Sequence, residues 1–173
     1  MKFVSCTHDR HAPAILAIFN EAILNSTALY DYHPRTPESM VNWFNAKEAG
    51  GFPVIGVESD AGELMGFASY GIFRAFPAYK YSVEHSVYVE KNHRGKGLGL
   101  LQMQRLIELA REQELHVMVG GIDAANAASI ALHRKLGFEH AGTVRQAGFK
   151  FGRWLDLAYY QLILATPRVP VDG

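Results

Sequence analysis

Residues 82–110 read SVEHSVYVEKNHRGKGLGLLQMQRLIELA, and no other stretch of the chain limits its fold as strongly. The opening SVEHSVYV alternates in the manner of a half-buried strand, and the closing LLQMQRLIELA repeats apolar residues at helical spacing. Between them lies a basic turn in which Gly95, Gly97 and Gly99 occupy every second position. LHVMVGGID follows the helix as a near-continuous apolar run, which predicts a buried strand. Two parallel strands need a crossover, and a strand–helix–strand series supplies one. The chain is therefore expected to be α/β.

The flanking segments extend this reading. KFVSC predicts a short strand, and DRHAPAILAIFNEAIL a helix from the spacing of Ile15, Ile18, Phe19, Ala22 and Ile23, with Asp9 at the N-cap position. STALYDYHPRTP predicts a loop. Thr36, Pro37 and Glu38 open a second helix, which Gly50 and Gly51 end. FPVIGVES and ELMGFASYGIF predict a hairpin turning at Asp60 to Gly62. NAASIALHRKLGF predicts a further helix, and AGTVRQAGFKFGRWLDLAYYQLIL two last strands about Gly148 to Gly152. The expected order is β-α-α-β-β-β-α-β-α-β-β, a mixed sheet with helices on both faces. A chain of 173 residues is expected to make one domain over 1–173, with 165–173 as a flexible tail.

Seventeen basic residues balance seventeen acidic ones, which argues against nucleic acid or an anionic membrane as partner. Cys6 is the single cysteine, so neither an internal disulfide nor a zinc site built on cysteine is expected, and no metal is called for. MKFVSCTHDRH lacks a signal-peptide core, and no apolar run reaches membrane-spanning length. A cytoplasmic setting is the expectation.

Glycines between a strand and a helix leave backbone N–H groups unpaired at the positive end of the helix dipole, which suits an anion. Arg94 and Lys96 add local charge. Lys96 is followed by glycine rather than Ser or Thr, so a nucleotide-hydrolysing loop is not indicated. A dinucleotide fingerprint needs G-x-G-x-x-G in the first βαβ unit, whereas this turn is G-x-G-x-G behind hairpins; Asp123 alone does not rescue that reading. A tight turn with a solvated basic rim is the plain alternative to a phosphate site.

Arg94, Gly97 and Gly99 form R-x-x-G-x-G, which resembles the pyrophosphate signature of the GNAT superfamily of N-acetyltransferases. Asn126 and LHRKLGF at 132–138 resemble that superfamily's second cofactor segment. VEHSVYV at 83–89, AGFKFGRWLDL at 147–157 and FNEAI at 19–23 resemble the branch of phosphinothricin and methionine sulfoximine acetyltransferases. The resemblance implies acetyl-CoA as co-substrate. It implies pyrophosphate at Arg94, Gly95, Lys96, Gly97, Leu98 and Gly99, and pantetheine along Val87, Tyr88 and Val89 and near Asn126. A backbone N–H of that strand stretch would stabilise the developing oxyanion.

Alternation puts Glu84 on one face with Ser86 and Tyr88, and Val83, His85, Val87 and Val89 on the other. The resemblance makes Glu84 the base, directly or through water; a solvent-facing carboxylate is the plain alternative, and His85 is a second candidate as base or substrate contact. His133 stands where the superfamily often has a tyrosine that protonates the leaving thiolate, so its role is proton donor or binding contact. A small amino-acid substrate needs a cation for its carboxylate. Arg74 is the chosen residue, with Phe73, Ala75, Val83, Glu84 and His85 around the substrate and Phe76, Tyr79 and Tyr30 as walls. Lys150 and Arg153 are further basic candidates, and Trp154 is expected in the core or at a dimer interface. The resemblance also implies a homodimer. An enzyme acting on a peptide N-terminus or lysine, and a non-catalytic acyl-CoA sensor, remain the rival readings.

Overall fold

The computed structural model describes residues 1–173. Strands are β1 (Lys2–Ser5), β2 (Val54–Glu58), β3 (Leu64–Ile72), β4 (Ser82–Val89), β5 (Val117–Asp123), β6 (Glu139–Lys150) and β7 (Arg153–Ile163). Helices are α1 (His8–Asn25), α2 (Pro37–Ala49), α3 (Leu98–Glu112) and α4 (Ala127–Lys135). The element order is the expected one. The strands form a seven-stranded mixed sheet in the order β1-β2-β3-β4-β5-β7-β6. β4 and β5 are the parallel pair, from Ser82↔Val117 to Glu84↔Val119, and β4 runs on to Val89 beyond that ladder.

The caps explain where helices begin. Thr36 accepts from the Ser39 N–H and Pro37 takes the first turn of α2, as its sequence suggested. α1 starts earlier than Asp9 implied. Thr7 is its N-cap residue, with no side-chain bond to the first turn, and the Thr7 N–H donates to His11 Nδ1 at 2.9 Å. Asp9 falls in the first turn, where its charge still favours the helix dipole.

Two compact units divide the chain. The first comprises Met1–Ser69 and Ser86–Met103. Ile15, Phe19, Met40, Phe44 and Phe67 make its main core, on which Tyr88 of β4 stacks, 5.2 Å from the Phe67 ring. Val57, Met65 and Leu98 form a smaller cluster that anchors the first turn of α3. Glu58, 1% exposed, accepts from Arg10 and His11 inside this unit.

The second unit comprises Tyr70–His85 and Gln104–Gly173. Leu106, Met118, Leu155 and Tyr160 are buried in it, and β7 pairs antiparallel with both β5 and β6. Trp154, expected in the core or at an interface, is not in the core: it is 60% exposed and meets Phe149 edge-on. In the segment expected to be a flexible tail, the Thr166 hydroxyl donates to the Leu115 carbonyl and the Val171 N–H donates to Tyr81 Oη.

Candidate active site

The glycine turn lies in the first unit. Gly95 and Gly97 have φ of +76° and +78°, a conformation that side chains rarely adopt, and a Cβ at either would meet no atom within 4 Å. The space over the turn is open, and the first N–H groups of α3 lack intrahelical partners. Backbone donors and an open cradle fit a pyrophosphate. Arg94 does not point there. Its guanidinium pairs with Glu21 of α1, and its Nε donates to the Val89 carbonyl at 3.3 Å. Lys96 stays exposed, with Nζ 3.3 Å from His93 Nδ1. Gln102, buried in α3, donates to the Tyr88 carbonyl at 3.4 Å through the gap left by Gly66, and so braces β4 beside Val87, Tyr88 and Val89.

Glu84, His85 and His133 lie in the second unit, and two glycines of β5 make room for them. A Cβ on Gly120 would meet His85 at 3.0 Å and His133 at 3.1 Å; a Cβ on Gly121 would meet Glu84 Oε1 at 3.2 Å. Successive strand residues face opposite sides, so the histidines lie under β5 and the carboxylate over it. The predicted split of Glu84 from Val83 and His85 is seen in burial, with Val83 and His85 buried and Glu84 in contact with solvent. Partial burial raises the Glu84 carboxyl pKa above its ordinary value, and the Arg74 charge pulls the other way.

His133 Nδ1 lies 2.7 Å from the Ser129 carbonyl, which can only accept, so that nitrogen carries the hydrogen. Its Nε2 then accepts from His85 Nε2 at 2.8 Å. Both ring nitrogens of His133 are thus engaged inside the unit. Burial pushes His85 down to about 3, with His133 adding to the shift and the Val119 backbone opposing it. His133 is lowered by burial as well. The pair is neutral at pH 7.

Asn126 caps α4, its Oδ1 accepting from the Ser129 N–H at 3.0 Å, which leaves its NH₂ to donate elsewhere. Phe73 and Tyr79 meet edge-on and line a cleft of about 460 Å³. Ser82, Val119, Tyr159 and Gln161 also line it. Arg74 and Ala75 are exposed just beyond Phe73, and the Arg74 guanidinium lies 5.4 Å from the Phe73 ring centre. Of the residues expected around the substrate only Phe73 and Tyr79 line this cleft; Arg74, Ala75, Val83, Glu84 and His85 do not, nor do Phe76 and Tyr30. Lys150 is buried near Phe151, Arg153 is paired with Asp123 at 3.1 Å, and neither lines the cleft. Glu21, Gln102, Gly120, Gly121 and Gln161 were not singled out in the sequence; the paired glycines inside a buried strand were the one available signal.

No group of three or more His, Cys, Asp or Glu side chains converges as a metal site would require. No helix is long and apolar enough to cross a membrane.

A strand feeding a glycine cradle at a helix start, with a carboxylate upstream on the same strand, is the arrangement of an acyl-CoA-dependent acyltransferase. The profile of the Acetyltransferase (GNAT) family matches residues 17–138, and the chain belongs to that family. It is 51% identical over 156 residues to an L-methionine sulfoximine/L-methionine sulfone acetyltransferase of Pseudomonas paraeruginosa, covering 90% of this chain and 91% of that one. An acetyltransferase structure from Acinetobacter baylyi superposes with a TM-score of 0.99 at 62% identity, covering 99% and 97% of the two chains. A phosphinothricin acetyltransferase of Sinorhizobium meliloti, solved with acetyl-CoA, superposes with a TM-score of 0.93 at 32% identity, covering 98% and 91%.

Proposed function

We propose that this chain transfers the acetyl group of acetyl-CoA to the α-amino group of a small amino acid. Methionine sulfoximine, methionine sulfone and phosphinothricin, the compounds named for its relatives, represent the substrate class. The observation that carries the site assignment is the Glu84 carboxylate, held over Gly121 beside the cleft with its pKa raised.

Acetyl-CoA supplies an activated acyl group as its thioester. The N–H groups of Gly95, Lys96, Gly97, Leu98 and Gly99 hold the pyrophosphate, and Lys96 adds charge. Arg94 contributes by fixing the turn through Glu21 and Val89. Backbone groups of Val87, Tyr88 and Val89 align the pantetheine arm, with the Asn126 NH₂ as a further donor. A backbone N–H in that stretch faces the carbonyl oxygen where negative charge develops.

Glu84 takes the proton from the substrate ammonium, directly or through one water. Its raised pKa brings a carboxylate closer to the operating pH, which is what a general base needs. Arg74 binds the substrate carboxylate, and Phe73 and Ala75 flank it. Val83 and His85 hold the strand from beneath. His133 in this arrangement is a neutral support rather than the acid for the thiolate, because neither nitrogen is available.

The exposed Val144, Phe149, Phe151 and Trp154 on the β6–β7 hairpin support a homodimer through that surface. The requirement for acetyl-CoA supports a cytoplasmic setting. The function is tested by release of free thiol from acetyl-CoA across a panel of amino acids, their decarboxylated amines, lysine and short peptides. Turnover that prefers free amino acids to lysine side chains and peptides, with Arg74→Ala lowering it for amino acids but not for their decarboxylated amines, is the expected result. Preference for peptides or lysine would replace the substrate class, and acetyl-CoA binding with no turnover on any amine would make the chain a sensor.

A further inference from the structure

The face of the sheet that carries Glu84 continues sideways in register. Glu84 is the partner of Val119 on β5, and Val119 is the partner of Gln161 on β7. These three side chains stand in one cross-strand row on one face. Neighbouring strands lie about 5 Å apart, so the row spans about 10 Å from β4 to β7. Val119 is the floor between the two polar ends, and the cleft of about 460 Å³ lies above it. Tyr159, which also lines that cleft, comes within 3.8 Å of a Cβ placed on Gly121, the same point that Glu84 Oε1 approaches to 3.2 Å. The carboxylate is not itself a lining residue but lies beside Gly121 with Tyr159, at the edge of the cleft, and Gln161 lines the cleft on β7.

The lining carries no charged side chain. Tyr79, Ser82, Thr143, Tyr159 and Gln161 are its polar side chains, and of these Gln161 alone lies in the row of Glu84. The Gln161 amide offers two N–H donors and a carbonyl acceptor. A substrate whose nitrogen meets Glu84 lays its side chain across Val119.

We propose that Gln161 reads the end of the substrate side chain, its NH₂ donating to an oxygen acceptor such as a sulfone, sulfoximine or amide. Resting on the reading of Glu84 as the base that receives the amine, the assignment makes Gln161 a specificity residue. A site built to hydrogen-bond a substrate group discriminates against the analogue that lacks it, because the site's own polar group is then left unpaired. Methionine sulfone and methionine are a matched pair for this purpose, differing only by the sulfone oxygens.

The test compares kcat/KM for L-methionine sulfone and L-methionine in the wild type, Gln161→Leu, Gln161→Glu and Glu84→Gln, with thermal melting to verify folding. The expected result is a sulfone-to-methionine ratio that falls about tenfold to a hundredfold in Gln161→Leu, chiefly through KM for the sulfone. Gln161→Glu, which replaces donors with a negative acceptor, lowers the ratio at least as far. A ratio unchanged in both variants, or a wild type that does not distinguish the two substrates, overturns the proposal. Failure of the Glu84 reading shows separately, as Glu84→Gln retaining full turnover on both compounds.

Discussion

The carboxylate of Glu84 rests against Gly121, so close that a Cβ there would meet Oε1 at 3.2 Å. Gly121 needs no positive φ, so alanine fits its backbone, and the other near atom is the tip of Leu157 at 3.3 Å. Both neighbours are ends of flexible side chains that can yield. Gly121→Ala is therefore expected to fold and to displace the carboxylate. The carboxylate has to give by a few tenths of an ångström, less than the full ångström that costs on the order of a hundredfold in rate. Steady-state kinetics should show kcat reduced by up to about tenfold, with the melting temperature changed little.

The neutral His85–His133 pair makes stability depend on pH. An unfolded histidine titrates near 6.5, whereas His85 in the fold titrates at about 3. Between those values the unfolded chain binds a proton that the folded chain does not, so stability falls as pH falls. The contribution is intact above about pH 6.5 and is lost progressively below it, and the lowered His133 acts in the same direction. Melting temperatures at pH 7.5 and 5.5 should drop on acidification in the wild type and drop less in His85→Asn. Equal drops would show that the pair is not held neutral.

Gly97 tests the cradle. At φ of +78° a branched side chain strains the backbone, and it also projects into the open space over the turn. Gly97→Val should raise the KM for acetyl-CoA more than tenfold while leaving the KM for the amino acid much less affected. Calorimetric titration with coenzyme A checks the same loss without turnover.

The order of elements was legible because period-two and helical spacing both follow from which side of each element is buried. VEHSVYV shows it directly: Val83 and His85 are buried and Glu84 is not. Caps of local origin were legible too, as with Thr36 and Pro37, since both partners lie within one turn of chain. Long-range pairings were not. Nothing near Arg94 announces Glu21, 73 residues away, and nothing near His85 announces His133, 48 residues away. Gly120 and Gly121 read as part of an apolar run, because a glycine's contribution is the space it leaves for side chains from other strands. Gln161 looked like any alternating polar residue until the register put it in the row of Glu84.

The central claim is that Glu84 is the base for acetyl transfer to an amino acid, and Glu84→Gln tests it most directly. Turnover of acetyl-CoA with L-methionine sulfone should be followed from pH 6 to 9 alongside acetyl-CoA affinity. The account predicts a large loss of kcat at neutral pH, partly recovered at high pH where the amine deprotonates unaided, with coenzyme affinity nearly intact. A variant with the wild-type rate and pH profile across that range would contradict it.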